Sequence, residues 1–254
     1  MTELVGILNI TPDSFSDGGR FNTAEYALQR CHQLSEDGAT VIDIGAESTR
    51  PGATTLTEDE EWQRLKDILP VLKTTNITLS LDSYHISTIR KALDYGIDWI
   101  NYVSSDINSD FTTLAQSYPD TKIVLMHNLG IPANKTITLS NNLPAIEQVN
   151  HWFENLLAPL TSEISQNRII LDPGIGFGKT PSQSLNLINN AARIMDHRFP
   201  IMVGHSRKSF LELPPNADNE LRDHHTSIYS RQLAQQHVDY LRVHNVAINR
   251  QTIT

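Results

Sequence analysis

The chain has 254 residues, with 29 Asp or Glu against 20 Lys or Arg and a formal charge of −9 at pH 7. That balance provides no basic stripe for nucleic acid, although a local anion site is compatible with it. One cysteine, Cys31, excludes an intramolecular disulfide and fits a reducing compartment.

The apolar stretch at residues 4–10 opens the chain without a preceding basic region, so it does not read as a secretory signal. No window reaches the roughly 18 apolar residues of a membrane span, and the expected location is the cytoplasm. Residues 4–10 instead read as a first strand that carries Asn9 near its end. Helical spacing follows at 24–37, a strand at 40–44, and a helix at 57–72. A strand at 77–82 precedes a helix at 86–95, and strands at 99–103 and 122–127 come next. A polar loop at 132–142 leads to a helix at 143–160. Strands at 168–172, 201–205 and 240–244 complete the set, with a Pro- and Asn-containing loop at 213–218. Several of these strands are apolar on successive residues, as parallel strands covered on both faces are. Eight strand-helix alternations in a chain of this length predict a single α/β domain over residues 1–254, a (β/α)8 TIM barrel. An open doubly wound sheet is the alternative.

Polar residues gather where these strands end: Asn9, residues 47–50, Asp82, Asn101, His127, Asp172, residues 206–208 and residues 242–244. In a barrel those ends converge on one mouth, which is where barrel enzymes build their sites.

Each cluster has a chemical use and a plain structural alternative. Asp82 and Asp172 can each accept paired hydrogen bonds from a planar N–C–N edge, or can cap the following turn. Arg242 and His244 alternate on the last strand and suit a phosphate or diphosphate; the alternative is an internal ion pair. Asn9 offers a neutral oxygen to a diphosphate-borne Mg²⁺. Lys208 and Ser206 follow the seventh strand at the opening of a helix. Lys208 can donate to ligand acceptors or be solvated, and Ser206 can cap the helix. The glycines of residues 172–180 do not form a nucleotide phosphate loop, because Pro173 stands where that motif requires glycine. They let backbone approach a flat ligand, with Phe177 as a wall. Loops at 11–19 and 47–52 carry Asp13, Phe15, Asp17, Thr49 and Arg50. They are long enough to close over a substrate, or are ordinary turns. The ten histidines show no metal-binding spacing, and His224-His225 reads as solvated.

Six segments taken in order, GILNITPDSFSDGG (6–19), DIGAESTRPG (43–52), SLDS (80–83), DPGIGFGK (172–179), SRKS (206–209) and RVH (242–244), resemble dihydropteroate synthases over nearly the whole chain. The resemblance implies a transferase of folate biosynthesis that joins a pterin-methyl diphosphate to p-aminobenzoate, with Mg²⁺ as cofactor. It implies that Asp82, Asn101, Met126, Asp172, Phe177, Gly204 and Lys208 hold the pterin. Asn9, Arg242 and His244 would hold the diphosphate and its metal. Phe15, Thr49, Arg50, Pro51 and Ser206 would form the p-aminobenzoate site, and Lys208, Arg242, His244 and Asp17 would serve catalysis. The implied partners are small molecules and a second copy of the chain in a homodimer; neither nucleic acid nor membrane is expected.

The chain departs from the family pattern at four points. Tyr102 stands for the usual Asp, Ala46 for Gly and Asn245 for Asp, and the fifth strand reads Met-His-Asn-Leu-Gly. The sequence also runs only about ten residues past His244, a short final helix. These departures motivate a second reading, a pterin-binding paralogue without turnover. Methyltetrahydrofolate-corrinoid methyltransferases share the pterin-holding acids and form a third, but they do not account for residues 11–17 or 49–51.

Overall fold

The computed structural model describes residues 1–10, 23–48, 53–104, 106–134 and 136–254. Among them run eight parallel strands: β1 (Glu3–Asn9), β2 (Ala39–Gly45), β3 (Thr78–Ser83), β4 (Trp99–Tyr102), β5 (Lys122–Met126), β6 (Ile169–Asp172), β7 (Met202–Val203) and β8 (Tyr240–Val243). Their order is β6-β5-β4-β3-β2-β1-β8-β7, and a parallel bridge between Leu171 and Ile201 joins the two ends of that sheet. The result is a (β/α)8 barrel, not an open sheet. β7 is shorter than the sequence suggests: its ladder with β8 covers Met202 and Val203, while Pro200 and Ile201 contribute isolated backbone bonds to Leu171 and Tyr240.

The helices are α1 (Thr23–Glu36), α2 (Glu58–Leu65), α3 (Leu69–Leu72), α4 (Ile86–Asp94), α5 (Ser109–Ser117), α6 (Ala145–Leu160), α7 (Pro181–Asn189), α8 (Asn219–Gln235) and α9 (Val246–Ile253). The single helix expected over 57–72 is two. Pro70 starts α3 at a first-turn position, where its missing N–H costs nothing, and so ends the α2 ladder before it. Thr57 and Glu60 form a reciprocal cap at the head of α2, as do Thr180 and Gln183 on α7. No helix among the described residues is long and apolar enough to cross a membrane.

Period-two alternation sorts every strand. Leu79 and Leu81 of β3, with Ile42 and Ile44 of β2, face the helices and pack with Phe111 and Phe153 in the outer core. Inside the barrel, Val5, Val41, Trp99, Val124, Ile170 and Met202 form a separate buried cluster with Tyr240 against it. Trp99 of β4 meets Tyr240 of β8 edge to face at 5.1 Å. Those strands lie on opposite sides of the barrel, so this contact spans its width and closes a dry floor.

Candidate active site at the barrel mouth

Two residues beyond that floor, the same inward-facing register carries polar groups. Tyr240 is followed by Arg242, Trp99 by Asn101, Ile170 by Asp172 and Val41 by Asp43. The ladder pairs Asp82 with both Asn101 and Gly45, and Met126 with Asp172. Residues remote in sequence therefore meet on one level.

Arg242 organises this level. Its Nε donates to Asp43 Oδ2 and its Nη2 to Asp82 Oδ2, each at 2.5 Å. Asn101 Nδ2 donates to the same Asp43 oxygen at 3.0 Å. The internal ion pair that stood as the alternative for Arg242 is thus present, and it is made with the carboxylate assigned to the pterin. Burial opposes the Arg242 charge, but the Asp43 and Asp82 carboxylates overcome it and raise its pKa, so the guanidinium remains charged. Burial pushes the Asp82 carboxyl up to about 7; Arg242 pulls it down, while the Asp43 and Glu61 charges push it further up. Two buried acceptors at this level, Asp43 Oδ1 and Asn101 Oδ1, have no hydrogen-bond partner among the described residues. An unmet buried acceptor costs about 1–3 kcal/mol, which a donor-rich ligand edge would recover.

Asp172 closes the opposite side. Its Oδ1 accepts the Gly174 N–H at 2.7 Å. Burial raises its pKa, against the pull of Lys208 and of that N–H. Gly204 is placed so that a Cβ there would lie 3.4 Å from Asp172 Oδ2, 3.8 Å from Lys208 Nζ and 3.9 Å from Arg242 Cδ. Any side chain at 204 would fill the space that these three groups border. Lys208 Nζ donates to the Ile175 carbonyl at 2.6 Å and sits 4.6 Å from the centre of the Phe177 ring. Phe177 and Lys208 therefore share one wall, and Met126 is buried beside Asp172.

Beneath that wall lies a support that the sequence motifs did not reveal. Lys179 Nζ is buried and donates to His127 Nδ1 at 2.9 Å and to the Phe177 carbonyl at 2.8 Å. Burial and the neighbouring Lys179 lower the His127 pKa to about 3, so the ring stays neutral and accepts. Gly174 has φ +67°, and a Cβ there would come within 1.9 Å of the His127 carbonyl; only glycine fits. His127 packs against Trp152 of α6, at 4.9 Å between ring centres, rather than lining the mouth. Lys179 is likewise spent inward, which removes what remained of a nucleotide-loop reading.

His244 Nδ1 lies 2.9 Å from Ser206 Oγ, and Arg30 Nη2 donates to the His244 carbonyl at 3.1 Å. The residues expected in two subsites are therefore in direct contact. Ser206 does not cap a helix: the chain makes only a one-turn 3₁₀ segment at Ser209–Leu211, after Arg207 has taken a positive φ of 59°. Arg207 turns outward into a bidentate pair with Asp223 at 2.7 and 2.8 Å. Asn9 is exposed at the end of β1, opposite Gly45 of β2, and β1 pairs with β8 as closure requires. Among the described residues no group of three or more His, Cys, Asp or Glu is arranged around a cation site. Phe15, Asp17, Thr49, Arg50 and Pro51, with Asp13, lie outside the described residues.

Asp43 is the site residue that sequence reasoning missed. The signal was present: an acid inside the run ATVIDIG, buried on both faces, needs a partner across the barrel. Three of the four departures from the family pattern fall outside the mouth; the fifth-strand one includes Met126, beside Asp172. Tyr102 points to the helix layer, stacking on Phe111 at 4.1 Å while its hydroxyl donates to the Asp106 carbonyl. Asn245 caps α9 through Ile248 N–H, and its Nδ2 donates to Asp223 at 3.2 Å, a bond an aspartate could not make. Ala46 is fully buried.

The sequence pattern of the pterin binding enzymes matches residues 5–244. A dihydropteroate synthase of Clostridium beijerinckii is 36% identical over 98% of this chain and 90% of its own length. A crystal structure of the dihydropteroate synthase from Anaplasma phagocytophilum, with bound 6-hydroxymethylpterin-monophosphate, superposes with a TM-score of 0.88 at 36% identity, covering 99% of this chain and 96% of that one. The Xanthomonas albilineans dihydropteroate synthase, solved with 4-aminobenzoic acid, superposes with a TM-score of 0.89 at 30% identity over 99% and 90% of the two chains. The chain spans 58% and 30% of the lengths of two bifunctional relatives, a folate synthesis protein of Chlamydia muridarum and a probable folylpolyglutamate synthase/dihydropteroate synthase of Halobacterium salinarum. The inward-facing acids, amide and bases of this barrel, together with these likenesses along nearly its whole length, place the chain in the pterin-binding enzyme family, among the dihydropteroate synthases.

Proposed function

We propose that this chain condenses 6-hydroxymethyl-7,8-dihydropterin diphosphate with p-aminobenzoate, giving 7,8-dihydropteroate and diphosphate. One observation carries the reading: Asp82, Asn101, Asp172, Lys208 and Arg242 converge on a single level of the barrel that also holds unpartnered acceptors on Asp43 and Asn101. A pterin presents ring N–H and amino donors on one edge and ring acceptors on another. The carboxylates and the Asn101 oxygen suit the first edge, and Lys208 suits the second. Met126, Phe177 and the open position at Gly204 leave a slot for a flat ring.

Reaction breaks the bond between the pterin methylene carbon and its diphosphate oxygen, and the electron pair leaves with the diphosphate. Arg242 and His244 stabilise that growing charge from fixed positions, and no covalent intermediate with the protein is needed. The arylamine nitrogen then attacks the methylene carbon and gives up a proton. Ser206, held against His244, borders the route of the second substrate. Phe15, Asp17, Thr49, Arg50 and Pro51 are assigned to closing over that substrate and keeping water away from the electron-poor carbon. Asn9 fits a Mg²⁺ bound mainly by diphosphate, since its exposed amide oxygen at the rim is the kind of hard, neutral donor that leaves the phosphates as chief ligands; the ion would neutralise leaving-group charge. The chain carries one thiol, the buried and unpaired Cys31, and we assign it to the reducing cytoplasm.

Purified protein given the pterin diphosphate, Mg²⁺ and p-aminobenzoate should form dihydropteroate. Folded protein that yields none from intact substrates rejects the reading. Arg242→Ala should impair diphosphate handling, and Asp82→Asn should impair pterin recognition.

A further inference from the structure

Arg242 and Asp82 are assigned to different parts of one substrate, yet each is the other's partner. Arg242 Nη2 and Asp82 Oδ2 are 2.5 Å apart, so neither can present its full hydrogen-bonding edge to a ligand while the pair stands. The two ends of the Arg242 guanidinium are not equivalent. Nε is held by Asp43, whose side chain is 1% exposed and which also carries Asn101. Nη2 is held by Asp82, whose side chain is 16% exposed and faces the side-chain-free edge of Gly45. A ligand can reach the second bond and not the first.

We infer that the Arg242–Asp82 ion pair is an exchangeable latch that couples the pterin and diphosphate subsites, with Asp43 as its fixed hinge and Asp43 therefore a positioning residue. This inference deepens the proposed function and rests on it. When ring N–H donors take over Asp82, Arg242 Nη2 is freed for the diphosphate while Nε remains on Asp43. When an anion takes Arg242, Asp82 is freed for the ring. Linkage requires the two effects to be equal: each ligand raises the affinity for the other by the same factor. A substrate carrying both groups opens the latch once, whereas a pterin alone or a diphosphate alone opens it for half of the contacts.

The test uses the whole chain and two probes, inorganic pyrophosphate with Mg²⁺ and uncharged 6-hydroxymethylpterin. Calorimetric titration of pyrophosphate is done with and without saturating pterin. The latch predicts pyrophosphate affinity about fivefold or more higher with pterin present, and the same factor for pterin when pyrophosphate is added first. Equal affinities with and without pterin overturn it, and that comparison needs no variant. In Asp82→Asn, pyrophosphate should bind as tightly without pterin as wild type binds it with pterin, and pterin should add nothing. Asp172→Asn removes a carboxylate of the same charge that does not hold Arg242; it should need more pterin but keep the coupling. Coupling that survives in Asp82→Asn, or that vanishes equally in both variants, contradicts the latch. An enzyme that makes dihydropteroate but binds the two probes independently sinks the latch alone; one that makes none from intact substrates sinks the function.

Discussion

At Val41, Trp99, Ile170 and Tyr240 the inner face of the barrel is apolar or aromatic; two residues further along the same strands it carries Asp43, Asn101, Asp172 and Arg242. Floor and mouth share backbone, register and curvature, and differ only in side chains. The floor gains from burial and from the Trp99–Tyr240 contact across the barrel, so its groups are satisfied by one another. The mouth is unsettled by the same burial: Asp82 is pushed up to about 7 and acceptors of Asp43 and Asn101 stand unpaired. The contrast teaches that stability is invested in the floor and recognition at the mouth, one strand step apart.

The comparison can be broken from either side. The largest effect belongs to the floor: Trp99→Ala should cost about 3–5 kcal/mol of unfolding free energy, with turnover per folded molecule little changed. Urea denaturation alongside the dihydropteroate assay checks both halves; a stable but inactive variant would show that the floor does more than support. At the mouth the pattern reverses. Asp172→Asn should lower kcat/KM for the pterin diphosphate by about 10- to 100-fold, the loss expected of one charge-assisted recognition bond of about 1.5–3 kcal/mol. Its thermal midpoint should hold or rise, because the buried carboxylate it removes is destabilised by its surroundings.

Much of this was legible before any coordinates. The eight strands, the convergence of their polar ends and the assignment of Asp82, Asn101, Asp172 and Arg242 to one level follow from periodicity and strand ends. Pairings across the barrel do not. Asp43 lies 199 residues from Arg242, and nothing local tells which acid an inward-facing arginine selects. Lys179, in a glycine-rich run whose spacing fails the phosphate-loop pattern, has no legible partner until the backbone of residues 174–178 folds it onto His127. The apolar spacing across 57–72 is continuous, so periodicity alone does not mark the break between α2 and α3; the signal for it is Pro70.

Smaller effects sharpen the contrast further. Two buried histidines, His127 and His205, are held neutral, with burial lowering their pKa values to about 3 and about 4. In the unfolded chain they protonate near their ordinary value of about 6.5, so acid is taken up preferentially by that state. The histidine contribution to stability should therefore be full above pH 6.5 and fall as pH drops from there towards 4, against an opposite contribution from Asp82 and Asp172, whose raised pKa values let the folded chain take up those protons first. Thermal melts of wild type beside His205→Gln across that range isolate it: the variant's midpoint should gain on that of wild type as pH falls, and a constant difference refutes it. Ligand binding at the mouth should weaken nearer neutrality: pterin affinity should fall as pH drops through about 7, where Asp82 takes up its proton, and Asp82→Asn should lose that dependence. The smallest effect expected is that of Asn245→Asp, which replaces a donor to Asp223 by a like charge. It should destabilise by less than about 1 kcal/mol, read as a small drop in thermal midpoint, and leave pterin binding unchanged.

The most direct measurement is a crystal structure of the chain with 6-hydroxymethyl-7,8-dihydropterin diphosphate and without p-aminobenzoate. The ring should lie between Asp82, Asn101 and Asp172, with Lys208 over its acceptor edge. The diphosphate should lie against Arg242 and His244, with Arg242 released from Asp82 and still bound to Asp43. Ligand density away from this level of the barrel, or a bound pterin with Asp82 turned away from it, would contradict the account.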